Sequence, residues 1–96
     1  MTDELRGLVR RAAAALKGVG AREVYVFGSA ATGSMHEGSD LDLAVEGLPP
    51  ERFFEAMGKA GDILGRPLDL VDLDEDNPFT RYLREEGELQ LVAEAT

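Results

Sequence analysis

The 96 residues are expected to form one domain, residues 1–96, with a modest core. A formal net charge of -9 and a sequence pI of about 4.4 exclude non-specific binding to nucleic acid or to an anionic membrane, since both need cationic surface, and 44% apolar residues exclude a disordered chain. The absence of cysteine excludes disulfide frameworks, zinc–thiolate sites and cysteine nucleophiles.

Asp3 to about Lys17 reads as an amphipathic helix, because Leu5, Leu8, Val9, Ala12 and Leu16 recur at three- and four-residue steps. Thr2 is placed to cap it, Asp3 and Glu4 suit its positive end, and Gly18 and Gly20 are expected to stop it. Glu23–Phe27 is β-branched and aromatic and reads as a strand. A glycine- and serine-containing connection follows from Gly28 to Gly38, with one short helical turn expected at Ala30–Thr32. Ser39–Val45 alternates polar and apolar and then becomes wholly apolar, as a strand exposed at its start and buried at its end would.

Pro49-Pro50 opens a second helix whose buried side carries Phe53, Met57, Ala60 and Leu64. Of the adjacent Phe53 and Phe54, one must point away from that side, where it could meet a partner. Gly65 and Pro67 break the helix, and Leu68–Leu73 reads as a third strand. Asn77-Pro78 caps and opens a short helix reaching Glu86, and Leu89–Val92 adds a final strand. The order α-β-β-α-β-α-β predicts an α/β (α+β) domain with helices packed on a small mixed sheet. No apolar run spans a membrane, and Met1-Thr2-Asp3-Glu4 lacks the form of a signal peptide, so a soluble cytoplasmic protein is expected.

The chemistry concentrates in Phe27-Gly28-Ser29 and, after a ten-residue interval, Asp40-Leu41-Asp42. Gly28 lets backbone approach a phosphate closely, and Ser29 adds a hydroxyl donor. Residues two apart on a strand share a face, so Asp40 and Asp42 project together while Leu41 and Leu43 enter the core. Two carboxylates this close repel unless a cation lies between them, and magnesium suits oxygen ligands of this kind. A third carboxylate is wanted on a neighbouring strand. Asp69 and Asp72 are the candidates, and their odd spacing allows only one to join.

Each part alone has an ordinary reading. Asp-x-Asp is commonly a solvated strand face, and Gly-Ser is commonly a turn. The joint pattern is more specific, because the Gly-Ser follows one strand and the aspartates open the next. Ser29 has no Gly-x-Ser-x-Gly elbow and no histidine base nearby in sequence, which excludes a hydrolase nucleophile of that type. No lysine follows the loop glycine, which excludes a Walker loop. His36, the sole histidine, reads as an exposed loop residue.

Gly28-Ser29, Gly33 and Ser39-Asp40-Leu41-Asp42-Leu43 resemble the Gly-Ser…Asp-x-Asp motif of the nucleotidyltransferase superfamily that includes DNA polymerase beta. The short length and the Leu68-Asp69-Leu70-Val71 segment resemble its minimal branch, the MNT or MntA proteins. The resemblance implies nucleotide binding at Gly28, Ser29 and Ser39, and ATP as substrate. It implies Asp40, Asp42 and Asp69 as catalytic carboxylates and ligands of magnesium, with two ions expected. It also implies transfer of AMP to a hydroxyl of a partner protein, as in toxin–antitoxin pairs whose toxin is a HEPN-domain ribonuclease. Relatives usually carry arginines after Gly-Ser, where this chain has Ala30-Ala31-Thr32. Arg22 and Arg66 are candidates to replace them, although each reads first as a surface arginine. The alternative expectation is a binding module that neutralises such a toxin by contact alone.

Overall fold

Along β2 (Leu41–Glu46), Leu41, Leu43, Ala44 and Val45 are wholly buried, as the core strand of a sheet covered on both sides must be. The computed structural model describes residues 2–28, 31, 40–86 and 89–92. Around β2 stand α1 (Asp3–Val19), β1 (Glu23–Phe27), α2 (Phe53–Leu64), β3 (Leu68–Asp72), α3 (Pro78–Glu85) and β4 (Gln90–Leu91). The expected order of elements and the mixed α+β class are those observed.

The strand order is β3-β2-β1-β4, with β1 antiparallel to both β2 and β4 and with β2 parallel to β3. A parallel return needs a crossover, and α2 provides it. Val24, Val26, Leu41, Leu43, Val45 and Leu70 turn one sheet face into a core closed by α1 and α2. There Ala12, Ala13, Ala56 and Ala60 are fully buried, and their small side chains let the two helices approach closely. Phe27 and Ala44 turn the other face toward Leu73 and Leu83, under α3.

Local signals account for most boundaries. Thr2 Oγ1 accepts a hydrogen bond from the Leu5 amide at 3.1 Å, and α1 ends at Gly20, whose φ is 126°. Gly18, expected as a stop, lies inside the helix, since Val19 beyond it is 1% exposed and its burial offsets the roughly 1 kcal/mol cost of one helical glycine. Pro50–Arg52 forms a 3-10 turn before α2 rather than its first α-helical turn. On α2 the innermost residues are Ala56, Ala60 and Leu64, while Phe53 and Met57 are half-buried. Asn77 and Thr80 form a reciprocal capping box at the start of α3. Asp72, the last residue of β3, accepts from the Asp74 amide at 2.9 Å and begins a turn.

One end of β2 is neutralised. Glu46 pairs with Arg22 at 2.8 Å and with Arg84 at 3.2 Å, and Arg84 also donates to the Leu73 carbonyl at 3.0 Å. Hydrogen bonding to Arg22, against a smaller opposing effect of burial, holds the Glu46 carboxyl below its ordinary value of 4.5. The folded state therefore binds this proton more weakly than the unfolded chain, so the pair stabilises above that value and the contribution fades as pH falls through it. Urea titrations from pH 6 to pH 3 are expected to show this loss, and Glu46→Gln to flatten that part of the profile. Leu43→Ala, at a position 0% exposed, is expected to cost about 2–5 kcal/mol in the same assay.

Candidate functional site

At the opposite end of β2 a carboxylate stands among like charges. Leu41 and Leu43 point into the α1–α2 core, so Asp42 between them faces the other side of the sheet. The parallel register sets Asp42 directly beside Asp69 on β3, one strand spacing away and on the same face. Asp42 is half-buried, and Asp69 and Asp40 are exposed. Burial raises the Asp42 carboxyl above its ordinary value of 3.8, and the neighbouring charges of Asp69 and Asp40 raise it further. A carboxylate in this position gains from a cation.

β1 brings a third component. Phe27 is the register partner of Asp42, and the chain turns immediately afterwards at Gly28, with φ of 68°. A Cβ at Gly28 would run into Asp42 Oδ2, so the absence of a side chain is what lets the turn lie against the carboxylate. The Ala31 amide closes the turn on the Gly28 carbonyl at 3.1 Å. From the far strand, Gln90 Nε2 donates to the Ala31 carbonyl at 2.9 Å and ties β4 to this connection. Sequence reasoning did not single out Gln90. Its partner lies 59 residues away, and no local pattern marks such a contact.

Phe79 meets Phe27 edge-on at a centroid distance of 6.0 Å, which sets the start of α3 beside the same strand end. Asp72 is the register partner of Val45, on the opposite face from Asp42 and Asp69, so Asp69 is the β3 aspartate beside Asp42. Arg22 lies at the Glu46 end, roughly 13 Å along the strand from Asp42 at 3.3 Å per residue, and does not replace the arginines missing after Ser29. Arg66 is half-buried and precedes Pro67, whose carbonyl accepts from the Leu41 amide at 3.0 Å, so it stands at the carboxylate end. Ser29, Gly33, His36 and Ser39, and all but Ala31 of the turn expected at Ala30–Thr32, lie outside the described residues. Among the described residues, no group of three histidine, aspartate or glutamate side chains is drawn together around a metal position. The carboxylates are adjacent and electrostatically coupled without forming a closed cage.

Residues 16–92 match the family model described as polymerase beta, nucleotidyltransferase. The chain belongs to the polymerase beta nucleotidyltransferase family. Among solved structures, one described as a minimal nucleotidyltransferase is 32% identical, with 90% of this chain and 93% of that chain covered and a TM-score of 0.69. This nucleotidyltransferase is thus of the minimal type. A toxin–antitoxin structure with AMP-PNP shares the fold at 24% identity, covering 86% of this chain and 70% of that one with a TM-score of 0.68. A mutant of the toxin–antitoxin MntA–HpeT shares it at 20% identity over the same fractions, with a TM-score of 0.65. Comparison with curated protein sequences gave no match. No helix among the described residues is long and apolar enough to cross a membrane.

The raised Asp42 carboxyl and the Gly28 turn each make a signed prediction. Between 3.8 and its raised value the folded state holds the proton more tightly than the unfolded chain, so this group's contribution to stability falls as pH rises through that window. Asp42→Asn is accordingly expected to raise the melting temperature at pH 7 in metal-free buffer. Gly28→Ala is expected to destabilise by about 1–3 kcal/mol, since it combines strain at positive φ with a clash on Asp42. Both are checked by thermal and urea unfolding beside the wild type.

Proposed function

We propose that this protein is a magnesium-dependent nucleotidyltransferase that moves AMP from ATP onto a hydroxyl of a partner protein. We further propose that it serves in the cytoplasm as the antitoxin of a HEPN-domain ribonuclease toxin. The observation that carries the reading is the register of Asp42 with Asp69 beside the Gly28 turn. The toxin–antitoxin structures of the same fold, one of them with AMP-PNP, support the nucleotide and the partner.

The donor set fits magnesium. Its members are carboxylate oxygens, and the charges of Asp69 and Asp40 oppose the ionisation of Asp42, a conflict that a divalent cation relieves. Magnesium needs few protein ligands because water and substrate phosphate complete its shell, so an open arrangement is compatible with it. In this reading Asp40, Asp42 and Asp69 hold the metal, two ions in the full complex. The bound metal supplies charge neutralisation for the triphosphate and the departing pyrophosphate.

The chain's own groups do the rest. Gly28 admits a phosphate against the backbone, and Ser29 and Ser39 offer hydroxyl donors to the nucleotide. Asp69, exposed on β3, accepts the proton of the acceptor hydroxyl. The acceptor oxygen bonds to the α-phosphorus as the bond from that phosphorus to the bridging oxygen breaks, and pyrophosphate leaves with the electron pair. Catalysis of this kind is mostly positioning and electrostatic stabilisation. The missing arginines at Ala30-Ala31-Thr32 favour a second reading, an antitoxin that acts by contact alone.

The test is incubation of α-labelled ATP and magnesium with the purified protein and the product of the adjacent reading frame. Labelled partner is expected, falling by about 100-fold or more for Asp42→Asn. Labelling that survives this substitution sinks the carboxylate mechanism. Tight partner binding without labelling by any nucleoside triphosphate favours the contact reading.

A further inference from the structure

The β3 strand has a neighbour on one side only among the described residues. Two hydrogen bonds set the phase of its ladder, from the Leu41 amide to the Pro67 carbonyl at 3.0 Å and from the Leu73 amide to the Val45 carbonyl at 2.8 Å. In a parallel pair, successive residues point their main-chain groups alternately toward and away from the partner. Asp69 and Val71 therefore bond to β2, and Leu68, Leu70 and Asp72 direct their main-chain groups outward. The Asp72 carbonyl accepts from the Glu75 amide at 3.2 Å. Among the described residues no strand faces the outward groups of Leu70.

A groove of about 790 Å³ runs along the strand edge, walled by Pro50, Phe53 and Phe54 on the α2 side and by Pro78, Phe79 and Thr80 on the α3 side. Phe54 is 82% exposed and Phe79 49%, so both rings that flank the groove present apolar surface to it. Asp72 and Glu75 also line the groove, and Asp69 lies on the same strand. An open edge with flanking aromatic walls has the form that accepts an extended segment as an added strand.

We infer that this groove docks an extended, positively charged segment of a partner protein, which adds to the sheet alongside β3. Side chains of an added strand alternate between faces. One set would meet Phe54, the other would meet Phe79, and basic residues would meet Asp72 and Glu75. Charge decides between occupants. A second copy would bring another chain of net charge -9, with the same acidic residues, against the first, whereas a basic segment complements them. An added strand lies about 4.8 Å from β3, so its flanking residues come beside Asp69. Delivery of an acceptor hydroxyl by this route rests on the nucleotidyl-transfer reading, whereas the docking itself does not.

The test needs no nucleotide, which keeps its failure separate from that of the catalytic proposal. A random eight-residue peptide library is selected on the intact protein, and the enriched peptides are synthesised and titrated. Peptides of net positive charge with alternating apolar residues are expected. Their binding is expected to slow hydrogen exchange at the Leu70 amide and to weaken at least tenfold in Phe54→Ser and in Glu75→Lys. Both substituted side chains are exposed, and thermal melts confirm that the variants fold. Failure to enrich any peptide, enrichment of neutral or acidic ones, equal affinity for both variants, or exchange protection away from β3 would overturn the inference. Concentration-dependent dimerisation that Phe54→Ser abolishes would give the groove to a second copy and overturn it as well.

Discussion

The parallel pairing of β2 with β3 forces Asp42 and Asp69 together although their charges repel. Two unit charges about 5 Å apart near a protein surface repel by roughly 3 kcal/mol at an effective dielectric of 20. Against this stand Leu41, Leu43 and Leu70, each buried and interleaved with the aspartates, and each worth about 2 kcal/mol of burial. The apolar residues prevail. A one-residue slip in register would turn Leu70 outward and Asp69 into the core, so the same burial that holds the strands also selects the register.

This gives the sheet an electrostatic direction. At the Glu46 end, Arg22 and Arg84 neutralise the carboxylate and lower its proton affinity. At the Asp42 end, burial and two like charges raise it. The strand is six residues long, yet its ends differ in sign of effect: one carboxylate supports the fold and the other strains it. Perturbed carboxylates of this kind cluster at functional sites, which is why this end of the strand, and not the Glu46 end, is the candidate site.

The sheet edges complete the picture. β1 is covered by the short β4, whose Gln90 reaches back to the connection after Gly28, so that side of the sheet organises the turn beside the carboxylates. Among the described residues β3 has no second neighbour, and its free edge lies between two exposed phenylalanines on the strand that carries Asp69.

Short-range physics made much of this legible in the chain itself. Helix periodicity and the caps at Thr2 and Asn77 marked α1 and α3, and alternation marked β2 and assigned Leu41 and Leu43 to the core. The two-residue spacing of Asp40 and Asp42, with Gly28 before them, marked the candidate site, because a strand's side-chain period is a local property. The odd spacing of Asp69 and Asp72 said that only one could join, but the choice fell to register, since pairing between strands is set by burial across the whole sheet. The reach of Gln90, the engagement of Arg22 by Glu46, and the open β3 edge were likewise decided by tertiary structure. Each depends on which segments pack together, and residues 20 to 60 positions apart leave no local trace of that in the chain.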